Sequence, residues 1–295
     1  MPYRTRVIDT PAVELRPIGD GQVDQVADFL HRELNPWVAS EAWAKGLDVH
    51  WVEDAPNHGF MLVEDGAVVG ANIAFYSERE ISGRRERFCN LGALCVLDSR
   101  RAHAIRLVRA ILRQPGYHFT DFSPSGSVIE LNRRLGFQSL DNSTALQINW
   151  PVIPRRSVTL ITDEVEIERR LSGRNLQIFR DHRGSTAAHH LLVTSGEELC
   201  YVISRRDRRK RLPVFFSILY VSNPELFSRS TQRIAHHFLL HDRALATLLE
   251  RRITGHPPPK GSIPLRHARQ KMFKSPYLPP ADIDYLYSEL TQIAW

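Results

Sequence analysis

The chain has 295 residues, 42% hydrophobic and 24% charged, with a net charge of +6; this balance excludes a disordered, collagen-like or coiled-coil polypeptide and suffices for two ordinary domains. Its three cysteines, Cys89, Cys95 and Cys200, lack C-x-x-C or Cys/His spacing, which argues against a disulfide scaffold or a structural zinc. No apolar run approaches the ~20 residues of a membrane span and the first residues hold no apolar targeting core, so a cytoplasmic protein without a membrane partner is expected.

In chain order, Val13 to Pro17 reads as a strand, followed by an amphipathic helix through Val23, Val26 and Leu30. A hairpin then runs from Met61 through the turn at Gly66 and back along Ala67 to Phe75. After the polar, basic turn that opens SGRRERFCNLGALCVL comes a long apolar strand, then a helix over Arg101 to Arg113 and a strand over Tyr117 to Ser123. The stretch Asn149 to Arg156, NWPVIPRR, has two prolines and no periodicity and predicts a domain break.

The order then repeats. Val158 to Thr162 predicts a strand, and Val165, Ile167 and Leu171 a helix. Leu191 to Gly196 opens a hairpin that returns through Ile203. The run RRDRRKR, Arg205 to Arg211, lies before LPVFFSILYV and predicts a solvated hairpin turn; without interleaved aromatic residues it is a weak nucleic-acid patch, and nucleic acid is not expected as a partner. A helix over Pro224 to Leu240 and a strand over Ala244 to Glu250 complete the repeat. HPPPKGSIPLRHARQ predicts an extended connection, and Asp282 to Ile293 a closing helix. The expected organisation is α/β: residues 1–150 and 151–295 forming two tandem domains of similar topology, each a mixed, mostly antiparallel sheet flanked by helices.

Two stretches of the first half carry a family resemblance. Val96-Leu-Asp-Ser-Arg-Arg101-Ala-His-Ala-Ile-Arg106 is similar to V-x-P-x-Y-R-G-x-G-x-G, and Ser125-Gly-Ser-Val-Ile-Glu-Leu131-Asn132-Arg-Arg-Leu-Gly136-Phe137 to N-x-x-A-x-x-L-Y-x-x-x-G-F. With the element order, these resemble the GCN5-related N-acetyltransferase (GNAT) superfamily. The resemblance implies acetyl-CoA or another acyl-CoA as co-substrate, no metal, and a small-molecule or peptide amine as acceptor. It implies that Arg101, Ala102, His103, Ala104, Ile105 and Arg106 meet the CoA diphosphate, with Ser125 near the cofactor and Leu94, Cys95, Val96 and Leu97 along the pantetheine. A strand running into a helix at Arg101 also leaves unpaired N–H groups that suit a diphosphate. Ala104 and Arg106 stand where the family has glycines, and Arg106 is free to turn outward to a nucleotide phosphate.

The family's glutamate base falls at Asn90 and its tyrosine acid at Asn132, neither of which exchanges a proton. Glu86, on the same strand face as Asn90, and His118, with Asp121 beside it, are the substitute candidates. The second half has Val221-Ser-Asn-Pro-Glu-Leu226 where an arginine turn would stand, implying a degenerate copy. His236-His237-Phe-Leu-Leu-His241-Asp242 is similar to the H-H-x-x-x-D-G signature of another CoA-dependent class, but the aspartate comes one residue late and the glycine is missing. The expected function is an acyl-CoA-dependent N-acyltransferase. The alternative is an inactive GNAT-fold binding or scaffold protein that retains CoA.

Overall fold

The computed structural model describes residues 12–152, 157–209, 212–255, 257–266 and 268–294. The first half supplies strands β1 (Glu14–Pro17), β2 (Gly59–Glu64), β3 (Ala67–Ile81), β4 (Arg84–Val96), β5 (His118–Asp121), β6 (Gln138–Ser139) and β7 (Thr144–Ile148), with helices α1 (Val23–Glu33), α2 (Ser40–Leu47), α3 (Ala104–Leu112) and α4 (Gly126–Arg134). The second supplies β8 (Thr159–Ile161), β9 (His189–Ser195), β10 (Glu198–Arg209), β11 (Leu212–Val221), β12 (Ala246–Glu250), β13 (Ile263–Pro264) and β14 (Met272–Lys274), with α5 (Glu164–Arg170), α6 (Gly173–His182), α7 (Pro224–Asp242), α8 (Arg251–Thr254) and α9 (Glu289–Gln292).

These strands form two seven-stranded sheets, ordered β1-β2-β3-β4-β5-β14-β6 and β8-β9-β10-β11-β12-β7-β13. The orders correspond position by position, and each sheet is antiparallel except for its fourth and fifth strands, β4 with β5 and β11 with β12. The sixth position is filled crosswise. From the end of the chain, β14 sits between β5 and β6, while β7 from the first half sits between β12 and β13.

Local chemistry explains the longer elements. Asp65 with Gly66 and Ser82 with Gly83 all have positive φ, the conformation of two-residue hairpin turns, and so fold β2 onto β3 and β3 onto β4. Helix α1 buries Val26, Ala27, Phe29 and Leu30 along one stripe. In α7, Pro224 occupies the first turn and the Asn223 side chain accepts from Leu226 N–H.

Two expectations are corrected. The segment Asp282 to Ile293 is not one helix: a 3-10 turn at Pro280–Asp282 is followed by irregular chain, and only α9 is helical. Tyr287 at φ 57° interrupts the helix, and tertiary contacts hold the irregular path instead. Ile283, Tyr285, Leu286 and Leu290 share one core with Phe88 and Phe122 of the first sheet and Ile203 and Leu219 of the second. The basic run is also not a solvated turn over its first five residues, because β10 continues to Arg209. Arg205 is 2% exposed. Lys210, Arg211 and residues 153–156 of the expected break lie outside the described residues.

The two third strands hold the C-terminal segment from opposite sides. From β3, Arg79 pairs with Asp284 at 2.6 Å and donates to Leu286 O; from β10, Arg205 donates to Leu290 O. Among the described residues no helix is long and apolar enough to cross a membrane.

Candidate acyl-transfer site

Strands β4 and β5 are hydrogen-bonded only from Phe88 to Asn90 against His118 to Thr120, and they diverge beyond that. On its other side β4 bulges: Cys95 faces Ala71 and Gly92 faces Ile73, so Ala93 and Leu94 together oppose Asn72. Ala93 takes φ 47°, which turns the local backbone out of the ladder. A cavity of about 350 Å³ opens there, lined by Leu91 to Leu94, by Asp121 and Ser123 after the divergence, and by Val108 of α3 and Val128 of α4.

The polar groups around this cavity are short of partners. Asn72 is buried, and neither its amide nitrogen nor its oxygen has a hydrogen-bond partner among the described residues. Asn132, also buried in the lining, donates to Asp121 Oδ2 at 2.8 Å and leaves its own oxygen unpaired. Burial pushes the Asp121 carboxyl up to about 6, against the opposing pull of the Asn132 and Ser123 hydrogen bonds.

Glu289 of α9 lies behind the same wall. Its carboxyl is fully buried, accepts from Ser123 Oγ at 2.7 Å through Oε1, and has no partner at Oε2. Desolvation, reinforced by the Asp121 charge, pushes it up to about 7. Its backbone N–H donates to Asn90 Oδ1 at 3.2 Å, while Asn90 Nδ2 donates to Thr120 Oγ1 at 3.1 Å. Asn90 therefore uses both ends of its amide to tie α9 to the point where the strands part. Gly92 leaves room for this approach, since a Cβ there would lie 3.2 Å from Glu289 Cβ.

The structure gathers some of the sequence candidates and separates others. Asn132, Leu94 and Ser125 line the cavity, and Asn90 is the last β4 residue paired with β5 before the strands part. Cys95 and Val96 pair with β3, and Leu97 N–H donates to Val69 O. Glu86 and His118 stand at the closed, hydrogen-bonded end of the β4–β5 pair and do not line this cavity. They bond each other at 3.1 Å, His118 Nδ1 lies 2.9 Å from Ser275 Oγ, and Tyr277 O–H donates to Glu86 at 2.6 Å, so the pair serves as an anchor for the chain beyond β14. Hydrogen bonds from Tyr277 and His118 hold the Glu86 carboxyl below the usual range, the opposite of a base poised for neutral pH.

After β4, Asp98–His103 is a 3-10 turn leading into α3 and does not line the cavity. It carries Ala102 and His103, and Ala104 and Ile105 begin the helix. Arg101 is an exposed side chain paired with Asp98 at 2.6 Å. Arg106 donates to Val13 O at 2.9 Å and lies 3.1 Å from His103 Nδ1, so it is turned into the protein and not outward as expected. The residues that sequence reasoning missed are Asn72, Ser123 and Glu289. Glu289 is 199 positions from the asparagine it contacts, and no motif or spacing signals it.

No family model and no curated protein matches the sequence. The fold is that of solved N-acetyltransferases. A GCN5-related N-acetyltransferase from Anabaena variabilis is similar at TM-score 0.57 and 14% identity, over 89% of this chain and 72% of that one. One from Kribbella flavida is similar at TM-score 0.55 and 16% identity, over 90% and 71%. The GCN5-related glucosamine N-acetyltransferase region of a fungal multi-domain β-N-acetylglucosaminidase gives TM-score 0.55 and 12% identity, over 92% of this chain and 39% of that one. Each match extends over both sheets, and at these identities the likeness defines the fold class.

Proposed function

We propose that the chain is an acyl-CoA-dependent N-acyltransferase working at the β4–β5 divergence. The observation that carries this is the joining of a bulged, splayed strand pair and its cavity with a buried carboxyl at Glu289, raised toward neutral pH. The cavity fits the pantetheine arm: Leu91, Leu94, Val108 and Val128 supply apolar walls, and Asn72 offers an unpaired amide to the arm's own amides. When bound, acyl-CoA supplies a thioester carbonyl to an attacking amine. Backbone N–H groups freed at the bulge around Ala93 polarise that carbonyl.

As the amine nitrogen forms its bond to the acyl carbon and the carbon–sulfur bond breaks, the amine releases one proton. Ser123 Oγ accepts it while passing its own to Glu289 Oε1, the acceptor it already meets at 2.7 Å. Asn132 has a second amide hydrogen for the departing thiolate, and Asp121 orients it. Arg101 holds the diphosphate after leaving Asp98, a change between exposed partners that costs little. The first half is then the acyl-CoA-binding domain and the second a degenerate copy that closes the acceptor side.

Calorimetry with acetyl-CoA and longer acyl-CoAs, followed by thiol release over a panel of amines, tests the reading. Binding with turnover is expected, and absence of binding overturns it. A second reading, an inactive GNAT-fold protein that keeps CoA, is favoured by Asn90 and Asn132 at the usual proton-handling positions and by the inward turn of Arg106. Tight binding without turnover of any amine would establish it.

A further inference from the structure

The proposed proton acceptor feels charge from both halves of the chain. Glu289 is fully buried, with Oε1 on Ser123 and no partner at Oε2 among the described residues. From the end of β5, Asp121 opposes its ionisation, and from β10, Arg205 favours it. Strand β4 meets it with Asn90 and Gly92, which carry no charge, and the buried residues of α2 are Trp43, Gly46 and Leu47. Further charges, Asp207, Glu250, Lys271 and Arg269, line a cavity of about 80 Å³ together with Arg205 and Leu290. Lys271 pairs with Glu250, and Arg269 is exposed.

Arg205 is fixed to the same helix as the carboxyl. Its Nη1 donates at 3.1 Å to the carbonyl of Leu290, the residue after Glu289. Asp207 Oδ1 lies 3.1 Å from its Nε, but that pairing is lopsided: the Asp207 side chain is 21% exposed and that of Arg205 only 2%. Water screens the aspartate. Between Arg205 and Glu289, both buried, a charge acts at several times its strength in solvent. Arginine also keeps its charge at every working pH.

Resting on the acyl-transfer reading, we infer that Arg205 is a positioning residue that the second half contributes to the first: its buried charge holds Glu289 as the carboxylate that takes the proton handed on by Ser123. Desolvation and the Asp121 charge push the Glu289 carboxyl up, while the Ser123 hydrogen bond, the residue's own backbone N–H and Arg205 pull against them. Without the guanidinium the balance tips toward the acid. Glu289 then keeps its proton at neutral pH, and the proton from Ser123 has no acceptor. The half without an arginine turn thus has a chemical duty, because its third strand supplies this charge.

The ionisation of Glu289 is read in two ways: from the pH–rate profile for thiol release from acetyl-CoA, and from the carbon-13 carboxyl resonance of protein labelled at glutamate Cδ, assigned by its loss in Glu289→Gln. Arg205→Gln should raise both midpoints from about 7 to about 8 or higher and lower the rate at pH 7 by about 5-fold or more. Arg205→Lys keeps the charge and should stay near the wild type. If these buried substitutions prevent folding, Asp207→Asn, at a partly exposed side chain, removes the opposing charge and should lower both midpoints. Midpoints that stay near 7 in Arg205→Gln or in Asp207→Asn reduce Arg205 to a tie for α9 and overturn this inference alone. Failure to bind acetyl-CoA overturns the acyl-transfer reading, while the carboxyl resonance still decides whether Arg205 sets the ionisation of Glu289.

Discussion

A carboxyl earns a titration near neutrality only where the fold withholds water, and Glu289 has that environment. Replacing it with glutamine should lower the acyl-transfer rate by about 10² to 10⁴, the range for general base help, and leave acetyl-CoA affinity unchanged by calorimetry. The wild-type rate should rise with pH and flatten above about 7, where the carboxyl is ionised, and the variant should lose this inflection. Stability should run the other way. The folded carboxyl titrates about 7 against an ordinary 4.5, so between these values the folded state keeps a proton that the unfolded chain has released. The stabilisation is fully present below 4.5 and is lost as pH rises through 7. Urea unfolding at pH 5, 6, 7 and 8 should show the decline in the wild type and a shallower one in Glu289→Gln. Asn90 acts through Glu289, not on substrate. Asn90→Ala leaves the Glu289 N–H without its acceptor and should cost about 1 to 3 kcal/mol, with a displaced midpoint in the pH–rate profile as the readout that a merely structural role would not move.

At the scale of elements, the bulge of β4 depends on the start of β2. Gly59 has φ 111°, and a Cβ there would lie 2.1 Å from the Asn72 carbonyl oxygen, immobile backbone directly opposite the bulge. Gly66 also has positive φ, but a Cβ there meets nothing within 4 Å. Gly66→Ala should therefore cost about 1 kcal/mol, and Gly59→Ala at least about 3 kcal/mol with loss of acetyl-CoA binding, as compared by urea unfolding and calorimetry. The hairpins of both halves and the long central strands were legible in the sequence because turn chemistry and apolar runs are local signals. The three residues of β14 and the five of β7 were not. A strand of that length takes its identity from the sheet that receives it, and its receiving neighbours β5 and β12 lie in the opposite half of the chain. Helix α9 was expected to be longer for the converse reason: with every side chain from Tyr285 to Ile293 buried, apolar spacing no longer marks one face.

For the whole molecule, the crosswise sixth strands mean that the chain's halves are covalent neighbours and also structural parts of one another. A protease site inserted between Val152 and Ser157 and then cut should leave two fragments that elute together from a size-exclusion column and separate only in denaturant. Fragments that separate in native buffer would contradict the exchange. The candidate site has the same distributed origin. Asn90, Asn132 and the arginine turn can be found by motif within the first half, whereas Glu289 comes from the second, in a segment whose sequence reads as a closing helix. What the sequence conceals is proximity between distant residues, and here the proposed proton acceptor depends on it.

The placement of β14 also sets a timetable for synthesis. Its partner edge on β5 ends at Asp121, and Met272 lies opposite that residue. At the usual 5 to 20 residues per second, the ribosome needs roughly 8 to 30 s to make the intervening chain. Throughout that interval the nascent first half presents an open edge on its central sheet, able to recruit any passing strand. The proposed proton acceptor, Glu289, emerges later still, 17 residues after Met272. A translation product arrested before Glu289 would thus lack the residue on which the proposed chemistry depends, and one arrested before Met272 would also be unfinished in its sheet.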